Sequence, residues 1–241
     1  QVRDTVIEDI GRLAMSDIRR EVPRQAVVDG ELVEGRVDRN RTIPPAQQSQ
    51  FLVQQGGDNV LVHAAAGGVG LFLIQMLKRM GARVIGTVSS KEKGEVAKSF
   101  GADDIIFYTN QDFASEAKKL TNGKGVDYII DGVGQDTFNK NLEACSVRGH
   151  IVVFGHASGQ IDPVSPNLLQ SKSITCTGGN LMNYLVSHEE LVNRASVLMN
   201  DIKSKNIKVQ IDHVFPFEQA AQAPILLESR KTTGKIILKV Q

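Results

Sequence analysis

The residues of this chain best placed to do chemistry carry no functional side chain: Gly67, Gly68 and Gly70 within Ala65-Ala66-Gly67-Gly68-Val69-Gly70. Gly67 allows a sharp backbone turn. Gly68, lacking a Cβ, allows a bulky anion to approach the main chain, and Gly70 allows a following helix to pack tightly on what precedes it. The free N–H groups and dipole of such a helix favour a phosphate or diphosphate. About twenty residues further on lies Thr87-Val88-Ser89-Ser90-Lys91-Glu92-Lys93, where hydroxyls and ammonium groups gather and no carboxylate ends the apolar run. The remaining polar candidates read as structural. His63 closes an apolar run and is expected as a hydrogen-bonded core residue. His150, His188 and His213 have no partner spacing, and Asp131 suits a turn or cap.

These residues require a scaffold that delivers them to one edge. Short β-branched runs occur at 59–63, 83–88, 104–108, 126–131, 149–154 and 173–177, with helical patterns at 69–80, 91–100, 111–121 and 135–147. Strands alternating with helices of ~10–15 residues indicate βαβ units and a parallel sheet, and right-handed crossovers place helices on both faces. The expected fold is therefore α/β, a doubly wound, Rossmann-type sheet. In that setting A-x-G-x-x-G between the first strand and first helix is a dinucleotide corner, with Ala65 where the common fingerprint has its first glycine. An NAD site usually ends its second strand with an acidic residue for the ribose 2′-hydroxyl. Here Ser and Lys follow the strand instead, which suits a 2′-phosphate and points to NADP(H).

Composition narrows the partners. A formal net charge of +1, with 23% charged residues, gives no basic footprint for nucleic acid. No apolar run approaches the ~20 residues that would span a membrane, and the first residues do not read as a signal peptide. Cys145 and Cys176 stand apart from any CxxC or Cys/His cluster, which argues against a disulfide framework or zinc site and for a reducing, cytoplasmic setting.

The first 50 residues differ from the rest, with eight Arg, no Lys and no aromatic residue before Phe51. Val6 to Ile18 has a helical period, Val27 to Gly35 suits a hairpin around Asp29-Gly30, and Ile43 to Gln50 reads as a linker. The expected organisation is a docking or linker segment over 1–50, the nucleotide-binding domain over 51–180, and a C-terminal helix with part of a second, β-rich domain over 181–241.

From Gly57 onward the chain resembles the zinc-independent, zeta-crystallin-like quinone oxidoreductases of the medium-chain dehydrogenases/reductases. The motifs are "HAAAGGVG" (63–70), "IGTVSSKEK" (85–93), "GADDIIFY" (101–108), "TNGKGVDYIIDGVG" (121–134), "VVFGHASG" (152–159) and "LESRKTTGKIILKV" (227–240). The resemblance implies that Gly67, Gly68, Val69 and Gly70 hold the diphosphate and that Ser89 and Lys93 meet the 2′-phosphate. It also implies that Tyr108 lies near the adenosine side, Gly132 and Val133 line a ribose, and Phe154, Gly155 and His156 receive the nicotinamide. Arg230 would reach back to the cofactor phosphate. The implied activity is NADPH-dependent reduction of a quinone or activated alkene without metal. The implied partner is a second copy of the chain, paired through the strand near 172–179.

The resemblance also implies a largely β domain ahead of the nucleotide-binding region, and residues 1–50 do not resemble it. No general acid is assigned for that reason. An enoyl reductase domain of a larger synthase and a non-enzymatic NADPH-binding protein stand as alternatives. Pro224, inside an expected C-terminal helix, is expected to kink it.

Overall fold

The computed structural model describes residues 57–183, 185 and 187–240, together with the backbone of two short strands at 25–28 and 31–34. Those two, β1 (Gln25–Val28) and β2 (Glu31–Glu34), pair antiparallel with Val28 opposite Glu31, the arrangement the Asp29-Gly30 turn predicts. The expected helix at Val6 to Ile18 and linker at Ile43 to Gln50 lie outside the described residues.

From Asn59 the chain alternates as the sequence pattern demands. Strand β3 (Asn59–Val62) leads to helix α1 (Gly68–Arg79), then β4 (Arg83–Val88), α2 (Lys91–Ser99) and β5 (Asp104–Phe107). Next come α3 (Phe113–Leu120), β6 (Val126–Asp131), α4 (Phe138–Ala144), β7 (Cys145–Val153), the short α5 (Pro166–Gln170) and β8 (Thr175–Gly178). The six strands form one parallel sheet in the order β5-β4-β3-β6-β7-β8. The first half of the chain builds outward from β3 in one direction and the second half builds outward from β6 in the other. The crevice at the C-terminal ends of β3 and β6 is the switch point where such sheets take ligands.

Side-chain alternation explains why both faces carry helices. Val60 and Val62 of β3 pack with Leu73, Ile74 and Leu77 of α1 and with Ala97 of α2. Leu61, one residue out of phase, packs on the opposite face with Ile85, Ile129 and Ile151, under Phe113 and Ala117 of α3 and Phe138 of α4. A strand buried on both faces must be apolar throughout, which is why β3 and β4 read as continuous rather than alternating runs.

Two boundaries differ from expectation. The helix predicted over 135–147 spans only Phe138–Ala144, and the strand predicted over 149–154 begins at Cys145. The Lys172 ammonium donates to the carbonyls of Leu142, Glu143 and Cys145 at 2.8, 3.0 and 2.9 Å, capping the helix end. Arg148 then takes a left-handed φ of 61°, which a continued helix could not accommodate.

After β8 the chain forms α6 (His188–Lys203), then β9 (Ile211–Pro216), α7 (Gln222–Glu228) and β10 (Lys235–Lys239). β9 and β10 make a separate two-stranded parallel sheet. Pro224 does not kink α7 as expected. It falls in the first turn, where no N–H has an intrahelical acceptor to lose. This return segment is tied to the larger sheet at several points. Gln75 donates to the Lys208 carbonyl at 3.0 Å and accepts from the Lys208 N–H at 2.7 Å. Arg79 pairs with Asp201 at 2.9 Å, and Gly234 N–H donates to the Ala66 carbonyl at 3.0 Å. Among the described residues no helix is long and apolar enough to cross a membrane.

Candidate cofactor site

The corner between β3 and α1 carries the anion-binding geometry. Helices α2, α3 and α6 have their first turns capped by side chains: Ser90 accepts from Lys93 N–H, Asp112 from Ser115 N–H and Ser187 from Glu190 N–H. Helix α1 has Gly67 at its N-cap, with no side-chain cap and no acidic residue in its first turn. Like those of α4 and α7, the first turn of α1 has no side-chain acceptor among the described residues, and at α1 Val69 is 50% exposed.

The individual glycines do somewhat different work from that expected. The left-handed bend falls on Ala64, with φ of 49°, while Gly67 sits at an ordinary φ of −78°. Gly67 is needed for space, since a Cβ there would stand 3.1 Å from the Ala64 carbonyl, and it forms a bridge with Gly234 of the return segment. A Cβ on Gly68 would meet the Gly234 carbonyl at 3.1 Å and the Lys235 stem at 3.3 Å, so its bareness also accommodates the protein's own chain. Gly70 has the tightest requirement. A Cβ there would lie 2.5 Å from the Ala64 carbonyl oxygen and 2.6 Å from that of Ala65, so the helix packs on the corner as predicted.

Ser89 and Lys93 lie beyond the end of β4, with Lys93 half-buried in the first turn of α2. The Lys93 ammonium donates to the Arg230 carbonyl at 2.5 Å, which brings two of the expected phosphate contacts together from opposite ends of the sequence. Burial lowers the Lys93 pKa, and the charge of Asp212 partly offsets this. Arg230 itself adopts a left-handed φ of 58°.

On the other side of the switch point, Gly132 and Val133 follow β6, and Phe154, Gly155 and His156 follow β7. These two loops interlock. A Cβ on Gly132 would stand 2.6 Å from the Phe154 ring, and one on Gly155 would stand 2.8 Å from the Gly132 carbonyl. Ala157 N–H donates to the Gly132 carbonyl at 3.2 Å and Ser158 N–H to that of Val133 at 2.8 Å. Tyr108 and His156 stand exposed at the rim, and no side-chain hydrogen bond joins them to the other candidates among the described residues.

Sequence reasoning missed what lies beneath the crevice. His63, Thr87, Asp131, Thr137 and Asn141 are all buried. The His63 ring meets Thr87 Oγ1 through Nδ1 at 2.9 Å and Asn141 Oδ1 through Nε2 at 2.8 Å. Asp131 accepts from the N–H groups of Val133 and Gly134 at 2.7 and 3.2 Å, from the Thr137 hydroxyl at 2.6 Å and from the Asn141 amide at 2.6 Å. Burial lowers the His63 pKa, opposed by the Asp131 charge and the Asn141 contact. The expectations for His63 as a bonded core residue and Asp131 as a turn residue hold. Asn141 was legible only as a polar residue within the apolar helical stripe of Phe138 and Ala144.

The family model for zinc-binding dehydrogenases matches residues 68–199, from the first residue of α1 to within α6. The chain belongs to that family. Within it, the chain falls in the quinone oxidoreductase branch of the medium-chain dehydrogenases/reductases. It is 36% identical over 200 residues to the 2-haloacrylate reductase of a Burkholderia species, covering 80% of this chain and 60% of the relative. It is 38% identical over 184 residues to Escherichia coli quinone oxidoreductase 1, covering 75% and 56%. The E. coli quinone oxidoreductase solved with NADPH superposes with a TM-score of 0.73 at 36% identity, covering 77% of this chain and 58% of that one. A mycobacterial protein, also solved with NADPH, gives 0.73 at 40% identity, covering 80% and 59%. The chain thus spans no more than about 60% of the length of these relatives.

The residues present fit the dinucleotide that the family implies. The first turn of α1 has no side-chain cap, and Lys93 stands in the first turn of α2, beyond the end of β4. The zinc in the family's name has no comparable fit. Among the described residues no three His, Cys, Asp or Glu side chains are grouped to hold a metal ion.

Proposed function

We propose that this chain binds NADPH and serves as the nucleotide-binding part of a zinc-independent oxidoreductase that reduces a quinone or an activated alkene. The observation that carries the reading is the uncapped N-terminus of α1 at the switch point, with a lysine beyond the end of the adjacent strand. The N–H groups of Gly68, Val69 and Gly70 bind the diphosphate. Ser89 and Lys93 bind the 2′-phosphate, which takes the place of the Arg230 carbonyl on the lysine, and Arg230 adds a second cation. Tyr108 flanks the adenosine, Gly132 and Val133 line the nicotinamide-side ribose, and Phe154, Gly155 and His156 orient the nicotinamide and exclude water. The bound cofactor supplies the hydride, and the chain's own residues contribute position and electrostatics.

The names of the relatives support the substrate class. A quinone and a 2-haloacrylate both carry a polarised conjugated π-system that accepts hydride, and neither requires a metal to bind an alcohol. We further propose that residues 51–180 form the nucleotide domain, 181–241 close it with part of a second domain, and 1–50 dock. We place the protein in the cytoplasm as a homodimer paired through β8, which among the described residues lies at the edge of the sheet, where a second strand can add.

A second reading, nucleotide binding without turnover, is favoured by the exposed apolar side chains of the return segment, such as Val214, Ile225 and Leu238. Turnover of NADPH with a small quinone or 2-haloacrylate separates the two readings, and activity confined to enoyl thioesters would point instead to a synthase-type reductase. Titration of wild type and Lys93→Ala with NADPH and NADH tests the cofactor assignment. The variant should lose ~1–3 kcal/mol for NADPH and little for NADH, the range for a charge-assisted contact. Equal loss for both contradicts it.

A further inference from the structure

The buried polar chain beneath the crevice has a direction. Four donors converge on the two Asp131 carboxylate oxygens, so Asp131 acts as an acceptor throughout. Asn141 must therefore present its amide nitrogen to Asp131, leaving its carbonyl oxygen toward His63. An acceptor facing His63 Nε2 requires that nitrogen to carry the proton. His63 Nδ1 is then bare and accepts from the Thr87 hydroxyl. Each bond fixes the next, and the chain runs from the end of β4, through the residue after β3, across α4, to the end of β6.

Asn141 is the joint of this chain. It is fully buried, and through one rigid amide it donates to Asp131 on one side and accepts from His63 on the other. What it holds bears on the crevice. His63 N–H donates to the Ile130 carbonyl at 3.1 Å, so the ring's anchor lies where the glycine corner leaves the sheet. Asp131 holds the N–H groups of Val133 and Gly134, and that turn is bonded in turn to the loop carrying Gly155 and His156. Burying five polar side chains at the centre of a sheet is costly unless every one is partnered, and here the partners span both sides of the switch point.

We propose that Asn141 is a positioning residue, whose amide locks the His63 tautomer to the Asp131 turn and so holds the 132–134 loop at a set place relative to the phosphate corner. This rests on the NADPH reading above and deepens it: the nicotinamide half of the cofactor depends on Asn141, and the adenosine 2′-phosphate half does not.

The test compares the full chain and Asn141→Leu as binders of NADPH and of adenosine 2′,5′-bisphosphate, a fragment lacking the nicotinamide half. The variant should bind NADPH about tenfold or more weakly, the scale of leaving a buried partner unpaired, with the fragment's affinity unchanged within about twofold. Equal loss for both ligands would mean general damage and overturn the proposal, as would no loss for either. Wild type that binds neither ligand would instead sink the NADPH reading itself. Should Asn141→Leu fail to fold, imidazole nitrogen spectra of the wild type decide the matter. A proton on His63 Nε2 is required, and one on Nδ1 would break the chain of bonds and the proposal with it. His63→Gln, which keeps a donor toward Asn141, should retain NADPH binding better than His63→Leu.

Discussion

Strands β3 and β10 are both short runs of branched apolar residues, yet they live in opposite surroundings. Val60, Leu61 and Val62 are buried to within 1% of completely, whereas Ile237 and Leu238 remain 37% and 38% exposed. The difference lies in what covers them. β3 is flanked by β4 and β6 and roofed by helices on both faces, while among the described residues β10 pairs only with β9. An apolar pattern thus announces a strand without announcing its partners. The glycine corner lies where the two regions meet, since Gly67 bridges to Gly234 immediately before β10. The ligand site is accordingly built by a self-sufficient sheet and trimmed by a segment whose apolar surface is only partly covered.

Substitutions that treat the two regions alike should break this comparison or sharpen it. Ile74→Ala, in α1 against β3, should cost ~2–5 kcal/mol in chemical denaturation, the range for truncating a fully buried aliphatic side chain. A cost under ~1 kcal/mol would mean that the site relaxes far more than its packing suggests. Gly70→Ala comes next. Helix propensity favours alanine by up to ~1 kcal/mol, but the new Cβ would sit 2.5 Å from the Ala64 carbonyl oxygen, and backbone cannot swing aside. Overpacking should win, with a net loss of ~1–3 kcal/mol in thermal or chemical unfolding.

A smaller effect is expected from pH. Folding holds the His63 pKa below the histidine value of the unfolded chain, about 6.5. Its contribution to stability is complete above that value and declines as pH falls from there through the lowered folded pKa, because the unfolded state takes up the proton first. Denaturation midpoints measured from pH 8 down to 5 should fall more steeply for wild type than for His63→Gln, and parallel curves would refute the assignment. Smallest of all, Leu238→Ala on exposed β10 should change stability by no more than ~0.5 kcal/mol. A loss comparable to that at Ile74 would show that β10 is covered in solution.

Much of the fold was legible because its signals are local. The apolar runs located β3, β4, β5 and β6 to within a residue, and the helical patterns at 91–100 and 111–121 fall on α2 and α3. The early end of α4 was not legible, because the lysine that caps it, Lys172, lies 27 to 30 residues from the carbonyls it meets. The approach of Gly234 to Gly67 and the bond from Lys93 to Arg230 were hidden for the same reason: they join residues more than a hundred positions apart. In the site, the glycines and lysine declared themselves by type. Asn141 did not, since an asparagine on an apolar stripe acquires meaning only once His63 and Asp131 are seen on either side of it.

The account turns on the bare first turn of α1 receiving the cofactor's diphosphate. The most direct measurement is a nitrogen-15 amide spectrum of the full chain during titration with NADPH. The account predicts that Gly68, Val69 and Gly70 move most, together with the turn at Gly132 and Val133. NADPH that binds while those three amides stay in place would contradict it.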